Sequence, residues 1–112
     1  MKVIVLGVDG MIGHKIAQLL SSDFKLIGSS RKKISIRDVG IRKGEIVFHD
    51  FSNKNIDSLL NRINPDVTIN CIGVTIRRDI FNKEKNVVFS NSELPHALDK
   101  WSKNNLKKLI HL

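Results

Sequence analysis

The sequence predicts an α/β protein built on a doubly wound parallel sheet with helices on both faces, and three observations lead there. Short, almost wholly apolar runs recur along the 112 residues, as strands covered on both faces require. Stretches with apolar residues at helical spacing separate these runs, the alternation expected of βαβ units with right-handed crossovers. The first run ends in glycine and opens straight into a helical pattern through Gly7, Gly10 and Gly13.

The elements follow in order. "KVIVLG" is the first strand, and Met11, Ile12, Ile16, Leu19 and Leu20 then repeat at helical spacing until Ser21, Ser22 and Asp23 end the helix. "FKLIGSS" is strand two, and "EIVFHD" is strand three, entered from the basic loop "RKKISIRDVGIRKG". Ser52 or Asn53 suits the cap of a helix whose apolar face is Ile56, Leu59, Leu60 and Ile63. Asn64-Pro65 stops that helix, because a residue before proline is pushed out of the helical region. "DVTINCIG" is strand four. A longer helix carries Val87, Leu94, Leu98 and Trp101 on one face, with the amide of Asn91 on the same stripe and a bend expected at Pro95. An amide facing the sheet needs a hydrogen-bonding partner. "LKKLIHL" is strand five. With the first strand near the centre, the predicted order is 3-2-1-4-5, a Rossmann-like, three-layer αβα sheet forming one unit over residues 1–112.

Composition narrows the partners. The hydrophobic share of 41% and charged share of 27% are those of an ordinary globular chain. No apolar run approaches the roughly 20 residues needed to cross a bilayer, and the first is broken too early by glycine and Asp9 for a signal peptide. The expectation is therefore no membrane partner. Cys71 is the sole cysteine, which suits a reducing, cytoplasmic setting. His14, His49, His96 and His111 show no metal-ligand spacing, so no metal site is expected. The net charge of +8 favours anionic partners.

In a doubly wound sheet, ligands sit beyond the carboxyl ends of the strands where the strand order reverses. That puts the glycine loop in the binding crevice. Gly7 permits a tight turn, Gly10 lets the backbone approach a pyrophosphate, and Gly13 lets helix and strand pack closely. The helix start at Met11 and Ile12 supplies N–H donors and a positive dipole end. The spacing is G-x-x-G-x-x-G, and a glycine-rich turn without a ligand is the alternative. Asp9 would repel a pyrophosphate and should face away. Strand two ends in Ser29-Ser30-Arg31 with no carboxylate for ribose hydroxyls. Ser30 and Arg31 suit a 2′-phosphate, because guanidinium makes forked, charge-assisted bonds to phosphate. The expected cofactor is NADP, with NAD possible. Lys32, Lys33, Arg37, Arg42 and Lys43 read as a solvated basic loop.

The segments "LGVDGMIGH", "HDFSN", "NPDVTINCIGV" and "NSELP" resemble, in order and spacing, those of the extended short-chain dehydrogenases. The likeness is nearest to the dTDP-4-dehydrorhamnose reductases and related sugar-nucleotide reductases. It implies that Asp50 and Phe51 lie by the adenine, and that Cys71, Ile72, Gly73, Val74 and Thr75 pass along the cofactor toward the nicotinamide. It makes Asn91 a structural support. Such reductases act through a Ser or Thr after strand five and a Tyr-x-x-x-Lys on the next helix. This sequence has no tyrosine and closes at His111-Leu112, so no catalytic residue carries over. The resemblance implies the N-terminal, dinucleotide-binding part of a longer reductase, with the sugar nucleotide a partner of the longer chain only. A free-standing dinucleotide-binding regulatory module stays open, as does a small basic nucleic-acid binder. Against the latter, aromatics are 5% and the basic residues are scattered. The expected partner is a small-molecule dinucleotide and no nucleic acid; the sequence sets no oligomeric state.

Overall fold

The structure is a computed structural model that describes residues 1–49, 55–72 and 93–112. Along the chain run β1 (Lys2–Leu6), α1 (Met11–Leu20), β2 (Lys25–Ser30), a 3₁₀ turn (Ile36–Val39), β3 (Glu45–Phe48), α2 (Ile56–Ile63), β4 (Val67–Asn70), α3 (Leu94–Asn104) and β5 (Lys108–His111). Among the described residues the five strands form one sheet in the order β3-β2-β1-β4-β5, and every pairing is parallel. This is the doubly wound order that the sequence predicts.

Strand β1 is apolar throughout its interior because both of its faces are covered. Ile4 and Leu6 join Ile27 in one core, closed by Ile56, Leu59, Leu60 and Ile63 of α2 and by Leu94, Leu98 and Trp101 of α3. Val3 and Val5 point the other way, toward Leu26, Ile69, Val8, Ala17, Val39 and Ile41. Each fully buried Leu or Ile contributes about 1.5–3 kcal/mol relative to exposure, so these two cores hold α1 on one face and α2 with α3 on the other. Trp101 links α2 and α3 directly, its Nε1–H donating to Asn61 Oδ1 at 2.8 Å. The buried indole thus keeps its polar atom paired.

Some details differ from the sequence reading. The connection from β2 to β3 holds a single 3₁₀ turn, fixed by a reciprocal capping box between Ser35 and Asp38. Val39 and Ile41 from this connection cover the outer part of the sheet. Helix α2 starts at Ile56 with Asn55 in the cap position, not Ser52 or Asn53, which lie outside the described residues. The reason is the backbone: the Asn55 carbonyl already accepts the Leu59 N–H at 3.4 Å. Asn64 closes α2 in the left-handed region at φ 51°. Pro95 stands in the first turn of α3, where its missing N–H costs no helical bond. Val87 and Asn91 lie outside the described residues.

At the amino ends of the strands, Asp66 ties three elements together. Its Oδ2 accepts the Lys2 N–H at 2.8 Å, its backbone N–H donates to the Lys2 carbonyl at 2.8 Å, and its carbonyl accepts the Lys108 N–H at 3.1 Å. Lys107 Nζ lies 3.5 Å from Oδ1. The Lys2 N–H bond, aided by Lys107, holds the Asp66 carboxyl below its ordinary pKa. A carboxylate with a lowered folded-state pKa adds stability above the unfolded pKa and loses it as pH falls through the folded value. The urea midpoint should therefore decline as pH drops below about 4, and Asp66→Asn should be less sensitive to acid than the parent. Superimposable pH profiles for the two proteins would remove this role.

Candidate functional site

The site is built where β1 stops. Gly7 follows Leu6 at φ 79°, a left-handed conformation that disfavours any side chain. This turns the chain so that the N–H groups of Gly7 and Val8 both donate to the Ser29 carbonyl, at 2.9 and 3.1 Å. The loop is thereby pinned across the end of β2. A Cβ at Gly7 would come within 3.0 Å of Ile72 Cγ1 and 3.3 Å of the Cys71 carbonyl. At Gly13 a Cβ would stand 2.1 Å from the Gly7 oxygen and 2.9 Å from its carbon. The fold itself therefore requires glycine at both positions.

Gly10 is different. Its backbone is extended, at φ −76° and ψ 165°, a conformation any residue adopts. A Cβ there would meet, among the described residues, only the Gly7 oxygen at 3.4 Å. Among the described residues, no packing reason keeps this position bare. What a side chain would take away is the open space in front of the backbone, which a ligand approaching closely would need.

Helix α1 begins at that opening. Its cap, Gly10, offers no side-chain hydrogen bond, and its first turn holds no acidic residue. The first N–H groups of a helix have no partner within it and carry its positive dipole end, so the start at Met11 and Ile12 is equipped to receive an anion. Both side chains face outward, 82% and 59% exposed. Within the helix, His14 Nδ1–H donates to the Gly10 carbonyl at 2.8 Å, beside the backbone bond from the His14 N–H at 3.0 Å. That pair of bonds fixes the loop against α1. Asp9 is exposed at the loop's tip.

The neighbouring strand ends complete the arrangement. Ser30 is buried, and its Oγ accepts the Lys32 N–H at 3.0 Å, which shapes the turn carrying the exposed Arg31. Beyond β4, the Cys71 N–H donates to the Leu6 carbonyl at 2.9 Å. Burial pushes the half-buried Cys71 thiol up from its ordinary pKa, so it is a neutral, weakly polar wall of the turn. The fold thus brings Gly7, Gly10, Met11, Ile12, Gly13, Ser30, Arg31, Cys71 and Ile72 to the carboxyl ends of β1, β2 and β4. Asp50, Phe51, Gly73, Val74 and Thr75 lie outside the described residues.

Sequence reasoning missed one polar pair at this edge. Asn70 is 3% exposed, and its Nδ2 lies 3.2 Å from His111 Nδ1. The available signal was an amide closing the apolar run of strand four. A separate cavity of about 480 Å³ lies at the other end of the sheet, lined by residues such as Phe24, Lys25, Lys43 and Glu45. It is remote from the glycine turn, and its opposed charges favour no single ligand class. Among the described residues, no three His, Cys, Asp or Glu side chains could together hold a metal ion, and no helix is long and apolar enough to cross a membrane.

Comparisons place this geometry among known proteins. The sequence profile described as the NAD dependent epimerase/dehydratase family matches residues 3–112. No curated protein matches the sequence. Among solved structures, an L-threonine dehydrogenase from Clostridium difficile is similar at a TM-score of 0.80 and 18% identity, covering 98% of this chain and 35% of that one. A hypothetical dTDP-4-dehydrorhamnose reductase from Sulfolobus tokodaii aligns at 0.79 and 18%, covering 99% and 38%. The Bordetella bronchiseptica enzyme WbmH, in complex with NAD+, aligns at 0.70 and 20%, covering 94% and 35%. At these identities the likeness is one of fold. The chain spans little more than a third of the length of these proteins.

The glycines separate in a stability measurement. Gly13→Ala forces a methyl against backbone and should cost at least about 1–3 kcal/mol, the range for overpacking. Gly10→Ala should unfold at nearly the parent's denaturant midpoint. Equal losses at both positions would mean that Gly10 is also a packing glycine.

Proposed function

This chain belongs to the NAD dependent epimerase/dehydratase family, and from that premise we propose that it is the NADP(H)-binding part of a sugar-nucleotide reductase. The reaction we assign to the longer enzyme is reduction of a 4-keto-6-deoxy sugar nucleotide, of the dTDP-4-dehydrorhamnose reductase type, for cell-surface polysaccharide precursors. The observation that carries the dinucleotide reading is Gly10: glycine where the described residues leave space and backbone geometry makes no demand.

In this reading, the N–H groups of Met11 and Ile12 bond the pyrophosphate while Gly10 gives it access and Gly7 and Gly13 hold the loop. Ser30 and Arg31 take the adenosine end, with Arg31 paired to the 2′-phosphate by charge-assisted hydrogen bonds. Asp50 and Phe51 flank the adenine, and Cys71, Ile72, Gly73, Val74 and Thr75 line the path toward the nicotinamide. Bound there, the cofactor supplies a hydride to the sugar carbonyl. The 112 residues contribute binding and orientation; they include no tyrosine to donate a proton to the developing alkoxide. The lone Cys71 is consistent with a cytoplasmic place for this chemistry.

Calorimetry with NADPH and NADH tests the assignment. Gly10→Val should abolish binding of both while the protein stays folded; unchanged affinity would refute the site. Arg31→Ala should weaken NADPH by about 1.5–3 kcal/mol, the scale of a hydrogen bond to a charged group, and leave NADH little changed. Equal losses would make Arg31 a support of the turn instead of the selector. With NADPH and a dTDP-4-keto-6-deoxy sugar, the 112-residue chain should show no turnover above background. Steady NADPH oxidation would demand a proton donor within these residues.

A further inference from the structure

Asn70 and His111 are register partners at the carboxyl ends of β4 and β5. Asn70 Oδ1 accepts the Ile72 N–H at 3.0 Å. A backbone N–H can only donate, so this bond decides which end of the amide is oxygen. The amide nitrogen therefore faces His111 Nδ1, 3.2 Å away. An NH₂ group is also a donor only, so Nδ1 must present its lone pair, and the neutral ring carries its proton on Nε2. The Leu112 N–H donates to the Asn70 carbonyl at 3.1 Å, so the backbones on both sides of the pair are held. His111 itself is exposed.

We propose that Asn70 sets His111 in the Nε2–H form, and that His111 donates this proton in a hydrogen bond to the carboxamide oxygen at the nicotinamide end of a bound dinucleotide. The inference rests on the dinucleotide reading above. In a doubly wound sheet the ligand lies across the carboxyl edge, with its pyrophosphate at the first glycine turn. Ser30 and Arg31 stand on the β2 side of that turn, and β4 and β5 lie on the other. The half that does not reach Arg31 must therefore run over β4 and β5. Two strand spacings of about 4.8 Å put the end of β5 roughly 10 Å from that of β1, within the reach of a mononucleotide. A neutral N–H suits a neutral carbonyl acceptor and leaves phosphate to the helix start. In this scheme His111 is a binding residue, and Asn70 is the positioning residue that acts through it.

Imidazole ¹⁵N spectra of the 112-residue chain at about pH 8, where an imidazole is neutral, test both halves. His111 should show the Nε2–H form, and Asn70→Asp should reverse it, because a carboxylate facing Nδ1 can only accept. NADP+ should shift the His111 Nε2 signal, whereas 2′,5′-ADP, which lacks the nicotinamide half, should leave it unmoved. His111→Phe should weaken NADP+ about 3–10-fold, as for one neutral hydrogen bond, without changing 2′,5′-ADP affinity. This variant keeps the test decisive if the Asn70 variant fails to fold. An Nδ1–H form in the parent overturns the proposal, as does binding of both ligands with His111 silent or equally perturbed. Failure of the parent to bind either ligand overturns the dinucleotide reading as well.

Discussion

Helix α1 starts in contact with the strand end it has just left, because Gly13 and Gly7 have no side chains to hold them apart. A single methyl on Gly13 would sit 2.1 Å from the Gly7 oxygen. That close approach brings the helix start to the carboxyl edge of the sheet, next to the turn whose N–H groups bond Ser29. It also seats Val8 and Ala17 in the core shared with Val3 and Val5. Loosening the contact would displace both the helix start and the packing behind it, so fold and site are one problem at this point.

The two faces of the sheet meet their covering requirement by different means. One uses paired helices, α2 and α3, whose contact is fixed by burial of Leu59, Leu98 and Trp101 and by the Trp101–Asn61 hydrogen bond. The other uses α1 and a connection with one 3₁₀ turn, which reaches the sheet through Val39 and Ile41. That connection carries Arg31, Lys32, Lys33, Arg37, Arg42 and Lys43 against Asp38. Of these, Arg31 stands at the carboxyl end of β2, whereas Lys43 lines the cavity at the other end of the sheet.

The candidate site was legible to unequal depth. Gly7, Gly10 and Gly13 were readable together, because strand, glycine spacing and helix appear consecutively in the sequence. Their separate duties were not: the pattern alone cannot tell that Gly7 and Gly13 answer to the backbone while Gly10, among the described residues, faces open space. For Ser30 the sequence offers a hydroxyl at the strand end but not the bond its Oγ accepts from the Lys32 N–H, which shapes the turn. The Asn70–His111 pair joins residues 41 apart, and no local pattern announces a cross-strand contact of that kind.

The sequence by itself determined the layered α/β class, the strand order and the family, because apolar runs, helical periodicity and glycine spacing are local and each constrains the topology strongly. It also located the ends of most elements, as with Asn64 after α2. Only the tertiary structure decided what depends on distance between remote segments. Asp66 reaching Lys2 and Lys108, Trp101 reaching Asn61, and the orientation of the Asn70 amide are such cases. Hydrogen bonds are short and directional, so they are settled by how the strands register against one another, a relation that the order of residues does not contain.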